Sequence, residues 1–440
     1  MANLLRPLAL RFAAPTALVV ALITPSGLSS AQETRLPSLR QRAEEAPRDY
    51  EAQRALGEAL LRAARYREAE RTFQAAARLR RGEQRPLYDV ARVHFARREY
   101  HDARAACRNL ARIDRRSALY HVCMARAFLA WGRASRAFDS VERALAVDAD
   151  DYDALLALGD AHRLRASVDE AVQAYRRAIA ENGRAAEPHL GLGLLYLNAR
   201  RPSEGIAALR RALELDGDSP DILFELGRAL LPADGGDQGA REAIPLLRRA
   251  VAGRPSFALA HAALGDALLG VGSASEAAEA YRTALGLQED LAVARAGLGR
   301  AQAAMGQLEE AEATLRAALE DLSNDWSATS TLARVLVQRN QRQEAYDVLL
   351  RAADLDRSDT RALMQAAAMA MEENRAVYAL TFLERVVAID EDYAPALAMM
   401  GDAYASQRLR SRAADLYRQA LAGQGPIDRA EVQRKLREVQ

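Results

Sequence analysis

Apolar and polar positions alternate along this chain with the helical period, and the pattern comes in pairs. In the segment from Tyr152 to Ala185, Leu155, Leu158, Gly159 and His162 fall at helical spacing on one face, and Ala171, Tyr175 and Ala178 do the same a short turn later. Two amphipathic helices are predicted, and neither can bury its apolar stripe without stacking on copies of itself. The copies are present. A small residue stands every 34 positions at Gly57, Ala91, Ala125, Gly159, Gly193 and Gly227, and again at Gly265, Gly299, Ala333, Ala367 and Gly401. Only the step from Gly227 to Gly265 breaks the interval, by being longer. Self-similarity at this period predicts a stacked helical solenoid. A second small series runs Ala69, Ala103, Ala137, Ala171, Gly205, Ala243, Ala277, Ala311, Ala345, Ala379 and Ala413. Gly inside a helix costs about 1 kcal/mol relative to Ala, so its repeated use implies close helix crossing. Ala171→Leu is accordingly expected to cost about 1 to 3 kcal/mol through overpacking, read as a lowered thermal midpoint.

The residues of the unit resemble the tetratricopeptide-repeat family. Leu56-Gly57, Tyr66, Ala69, Phe73 and Ala76 meet its pattern, as do Leu192-Gly193, Tyr196, Gly205, Leu209 and Ala212. Trp is absent from the fourth position, and Asp148, Asp216 and Asp390 stand where the terminal Pro would be; Asp serves in turns and as a helix cap. The resemblance covers residues 50 to 427. It implies an all-α, right-handed superhelical solenoid of antiparallel helix pairs, with about eleven repeats at 50–83, 84–117, 118–151, 152–185, 186–219, 220–257, 258–291, 292–325, 326–359, 360–393 and 394–427. Leu39 lies one full period before Phe73, which makes 32–49 a capping half-repeat. Val432, Leu436 and Val439 share one face of a capping helix in 428–440.

Residues 1–31 do not fit the ladder. Arg6 and Arg11 precede an apolar stretch from Phe12 to Ile23, a Thr24-Pro25-Ser26-Gly27 breaker follows, and Ser29 and Ala31 supply small residues at −3 and −1 of a cleavage site. This is the layout of a secretory signal peptide cut after Ala31, and it places the mature chain in the periplasm or outside the cell. No further run has membrane length, so no integral membrane segment is expected after signal removal. The two cysteines, Cys107 and Cys123, fall on helices that pack together, leaving two alternatives: a disulfide suited to an oxidising compartment, or two small buried hydrophobes.

The net charge is +1, which gives no global field for nucleic acid or an anionic membrane. Its distribution is uneven: residues 31 to 120 hold 21 Arg against 13 acidic residues, so the N-terminal repeats are where an acidic partner is expected. Lys435 is the sole lysine, a bias that reads as bacterial GC-rich coding. The histidines, His94, His101, His121, His162, His189 and His261, form no His-Glu-x-x-His pair, and no catalytic residue, cofactor or metal is expected. Gly191-Leu192-Gly193 and Gly297-Leu298-Gly299 lack the preceding strand that a nucleotide loop needs. The insertion at 231–239 lengthens one turn.

The resemblance puts the first helices on a concave face, where the second, fifth, ninth, twelfth and thirteenth positions of a repeat point inward. They are Arg85, Tyr88, Arg92 and Phe95, then Val122, Arg126 and Leu129, then Leu190, Leu194, Leu197 and Asn198, then Phe224, Arg228 and Leu231. Arg and aromatics among apolar neighbours are the composition of binding hot spots; the alternative is that these residues pack against adjacent helices. Arg54 and Glu58, then Tyr88 and Arg92, replace the Lys and Asn with which some family members clamp a terminal carboxylate. The expected function is a non-enzymatic scaffold holding a protein or peptide in its groove, in envelope assembly or polymer export, and the alternative is a regulatory or recruiting subunit of a separate enzyme chain.

Overall fold

The computed structural model describes residues 35–63, 65–231, 237–356 and 360–440. The signal segment 1–31 and positions 232–236 of the insertion lie outside the described residues. Within the described residues there are 24 α-helices and no strand, an all-α architecture of antiparallel helix pairs. They fall into two compact units, one ending at Ser273 and one running from Ala274 to Gln440, so the division lies between the two helices of the seventh repeat.

In the first unit the lone helix Arg35–Glu45 precedes the pairs Tyr50–Arg62 with Tyr66–Leu79, Arg85–Ala96 with Tyr100–Leu110, Ala118–Ala130 with Ala134–Leu145, Tyr152–Leu164 with Val168–Glu181, Glu187–Asn198 with Pro202–Leu215, and Pro220–Leu230 with Asp237–Gly253; Ala258–Gly270 ends it. The second unit opens on Ala274–Leu287 and continues through four pairs, from Ala292–Ala304 with Leu308–Asp321 to Ala394–Ser406 with Arg410–Ala422, before the last helix Arg429–Val439. Within each unit a first helix packs on its own second helix, which packs on the next first helix. The ends are covered. Leu36 and Leu39 pack against the core of Leu56, Leu60 and Phe73, and buried Val432 with Leu436 and Val439 packs against Tyr417 and Leu397.

The ladder of small residues has a steric cause. A Cβ at Gly57 would lie 2.6 Å from the Phe73 ring, at Gly159 2.5 Å from Tyr175, at Gly193 2.6 Å from Leu209, at Gly227 2.7 Å from Leu247 and at Gly299 2.7 Å from Leu315. Outside the lengthened sixth repeat, each partner stands in its own second helix at the offset that separates Phe73 from Gly57, and each is buried. Where the ladder carries Ala, the residue at that offset is never aromatic: Cys107, Val141, Leu349 and Leu383. The two positions therefore share one volume, with rings admitted only opposite Gly, as close packing requires. The second small series marks the crossing itself, since a Cβ at Gly205 would stand 3.1 Å from the Gly193 carbonyl oxygen.

The turn inside each repeat follows one rule that the periodicity did not disclose. Its fifteenth residue is left-handed in every described copy of the turn: Arg98, Gly132, Ala166, Arg200, Gly272, Gly306, Asn340, Asn374 and Arg408, with φ between 56° and 84°. The Ala166 amide donates to the Arg163 carbonyl and the Ser167 amide to His162, the two bonds that close a Schellman cap. Gly and Asn meet this conformation cheaply, but Ala does not, so Ala166→Gly should raise stability by about 0.5 to 1 kcal/mol. A thermal midpoint lowered by that change would contradict the assignment.

Candidate functional site

Packing claims the apolar part of the first-helix face. Leu129 lies in a core with Ala125, Val141 and Ala157, and Leu190 and Leu194 lie with Ile222 and Leu226 of the next first helix. Phe224 meets Phe257 with ring centroids 4.8 Å apart. Tyr88 and Phe95 are buried with Cys107 and Val122. Of the two alternatives for these residues, burial in the stack is what the structure gives. Leu197 and Leu231 are half-buried, and Asn198 is exposed near its helix end. The face a partner would meet is drawn mainly from the polar residues.

Those residues form a charge network across the first three repeats. Asp89 is wholly buried, and three guanidiniums surround its carboxylate: Arg54 Nε donates to Oδ2 at 3.2 Å, Arg92 Nη1 to Oδ1 at 3.2 Å, and Arg85 Nε stands 3.5 Å away. Arg92 also holds Glu58, one repeat earlier, through bonds of 2.5 and 3.2 Å. Burial works against the Arg92 charge, but Glu58 and Asp89 outweigh it and hold the guanidinium protonated above its ordinary range. Arg126 donates to the Tyr88 hydroxyl at 2.7 Å and lies 3.6 Å from Asp153. Burial pushes the Tyr88 phenol up to about 12 against the opposing effect of Arg126, so it stays protonated. Arg228 is tied within its own helix to Glu225 at 2.7 Å.

Arg92 and Arg126, two of the expected groove residues, are paired with acids and half-buried. Arg85 is different. Its side chain is 42% exposed, and its Nε is buried with no hydrogen-bond partner. With Arg54, Arg92, Glu51, Ala55 and Glu58 it lines a cleft of about 390 Å³. Asp89 is the residue sequence reasoning missed. The signal existed, because Glu58 and Arg92 are 34 residues apart and Arg54 and Asp89 are 35 apart, so the ladder that stacks the repeats also pairs the charges. Asp89→Asn should lower the stability of the first unit by about 1 to 2 kcal/mol, the worth of a charged hydrogen bond shared with partly solvated partners. Amide exchange in Arg85–Ala96 would report it.

Two other groupings fall in the same repeats. Cys107 and Cys123 are joined in a disulfide with Cα atoms 5.5 Å apart, both residues buried. His94, Glu99 and Asp102 approach one another closely, but Glu99 already accepts from Arg97 at 2.6 Å and meets His94 Nδ1 at 2.9 Å, so its charge is answered by the protein. No helix among the described residues is long and apolar enough to cross a membrane.

Models of the tetratricopeptide repeat match residues 124–186 and 235–292, residues 186–229 and residues 268–329. Two crystal structures of MamA are 26% and 28% identical, spanning 39% and 38% of this chain and 92% and 95% of theirs, with TM-scores of 0.35 and 0.34. The crystal structure of the APC/C hetero-tetramer Cut9-Hcn1 is 16% identical over 93% of this chain and 87% of its own, with a TM-score of 0.40.

Proposed function

The chain is a tetratricopeptide-repeat protein, and we propose that it is an exported, non-enzymatic scaffold that holds a partner polypeptide on the face of its first helices. The repeats support a protein-interaction role, and proteins built from them are generally non-catalytic. One observation carries the finer reading. In the cleft of the first two repeats, Arg54, Arg85 and Arg92 face Asp89 and Glu58, and Arg85, whose buried Nε stands 3.5 Å from Asp89, leaves its side chain 42% exposed at the cleft. A carboxylate from a partner would complete that set, which fits an acidic segment bound at the N-terminal repeats. The signal-like segment and the disulfide support a periplasmic or secreted setting, with envelope assembly or polymer export as the context.

The test is capture of partners from periplasmic extract by the full chain, with Arg85→Glu as the comparison. Capture should fall at least tenfold with helicity unchanged, and equal capture would sink the cleft reading. Recovery of a single enzyme whose activity changes on binding would favour the recruiting-subunit alternative. Export is tested apart from binding: intact mass of the mature protein should begin at Gln32, and retention of Met1 would rule it out.

A further inference from the structure

The arginines of the cleft are paired, whereas a second set nearby is not. Along the edge formed by the turns inside the second to fourth repeats, guanidiniums lie over aromatic rings. Arg104 sits 4.8 Å and Arg133 5.7 Å from the centroid of Trp131. Arg136 is 5.9 Å from the Phe128 ring and Arg165 4.3 Å from the Phe138 ring. Arg165 also donates to Ser135 Oγ at 3.0 Å, and His162 meets the edge of Phe138, so the third and fourth repeats are continuous here. The rings are half-buried, while Arg133, Arg136 and Arg165 are exposed. None of the four arginines has an ion-pair partner among the described residues.

Stacking fixes what such a surface can bind. A guanidinium held over a ring still offers N–H groups at its edge, and its planar fork can take a carboxylate through two parallel bonds. The rings themselves are covered, Trp131 by two guanidiniums and the His101 ring at 5.4 Å, which leaves little open face for stacking a nucleobase or entering a bilayer.

We propose that this ridge is a docking surface for an acidic polypeptide segment, whose Asp and Glu carboxylates bridge the stacked arginines from one repeat to the next. It rests on the reading of the chain as a protein-binding scaffold but lies apart from the cleft, so the two can fail separately.

The chain has two tryptophans, and Trp326→Phe leaves Trp131 as the sole reporter. The full chain carrying that change is titrated with a synthetic peptide of alternating Glu and Ser, long enough to span two repeats. Trp131 emission should change and saturate, and the affinity should fall with salt. Changing Arg104, Arg133, Arg136 and Arg165 together to Gln should weaken binding at least tenfold with unchanged circular dichroism. The four Lys replacements should fall between, since they keep the charge without the planar fork. No Trp131 response in the parent, or undiminished binding by the Gln variant, would overturn the proposal. So would displacement of the peptide at lower concentration by oligo-dT or by phosphatidylserine vesicles. If the Gln variant binds normally while Arg85→Glu loses its captured partner, the ridge fails and the scaffold reading stands; a chain that captures no protein at all defeats that reading instead.

Discussion

Gly159→Leu is expected to cost the first unit about 3 kcal/mol, the upper end of what overpacking does to a filled core. Tyr175 has nowhere to go. A Cβ at Gly159 would stand 2.5 Å from its ring on one side, and a Cβ at Gly191, on the first helix of the next repeat, 2.5 Å from it on the other. The ring's far end is also held, because its hydroxyl donates to Asp160 Oδ1 at 2.8 Å. Any side chain at position 159 must therefore push two repeats apart. Helix propensity pulls in the opposite direction, by about 1 kcal/mol for Gly→Ala, and the balance can be separated experimentally. Gly286 is the control: it sits in the last turn of Ala274–Leu287 with nothing within 4 Å of an added Cβ, so Gly286→Ala should stabilise by up to about 1 kcal/mol. Gly159→Ala should destabilise despite the same gain. Because a repeat array unfolds in parts, amide exchange in Tyr152–Leu164 and Glu187–Asn198 is the appropriate measurement. Combining Gly159→Leu with Tyr175→Ala should recover part of the loss, and strictly additive effects would refute the shared-volume account.

That account also shows how far the sequence could be read. Repeat length, helix pairing and both capping helices follow from the ladder, because stacking forces each copy to reuse the same contacts. The pairing of large with small residues was legible too, at one fixed offset along the chain. The turns were harder. Gly132, Gly306, Asn340 and Asn374 announce a left-handed position, but Arg98, Arg200 and Arg408 in the same register hide it, since the same pair of cap hydrogen bonds holds residues that do not favour the conformation. The binding face was the least legible. Periodicity identifies which residues leave the core of a helix pair without saying whether the next pair covers them, and at Leu129, Leu190 and Leu194 it does. Nor does a surplus of arginine show which charges are already answered. Asp89 and Glu58 neutralise the arginines the sequence singled out, while those stacked on Trp131, Phe128 and Phe138 stay unpaired.

Reduction of the Cys107–Cys123 bond is expected to cost the second and third repeats about 3 kcal/mol, the constraint that a closed loop of this size places on the unfolded chain. The pair has a sequence separation of 16. It occupies the same two repeat positions as Tyr175 and Gly191, or Tyr281 and Gly297, where the ring of one repeat presses on the glycine of the next. At this one junction a covalent link takes the place of a ring, and side-chain volume is lost: a Cys stands where other copies carry Phe, Tyr, Leu or Val. Two effects then follow a break in the bond, loss of the constraint and a thinner contact between Tyr100–Leu110 and Ala118–Ala130, since two thiols fill the site less fully than an aromatic ring. The variants separate them. Cys107→Ser with Cys123→Ser should lose both. Cys107→Leu with Cys123→Gly instead sets a leucine opposite Ala91, as Leu349 stands opposite Ala333, and should recover part of the stability without any crosslink. Amide exchange in Tyr100–Leu110 and Ala118–Ala130, with and without dithiothreitol, is the readout. The parent should exchange faster on reduction and the rebuilt variant should not respond to reductant. Equal protection of the parent in both conditions would show that packing alone holds this junction, and would remove the bond as support for an oxidising compartment.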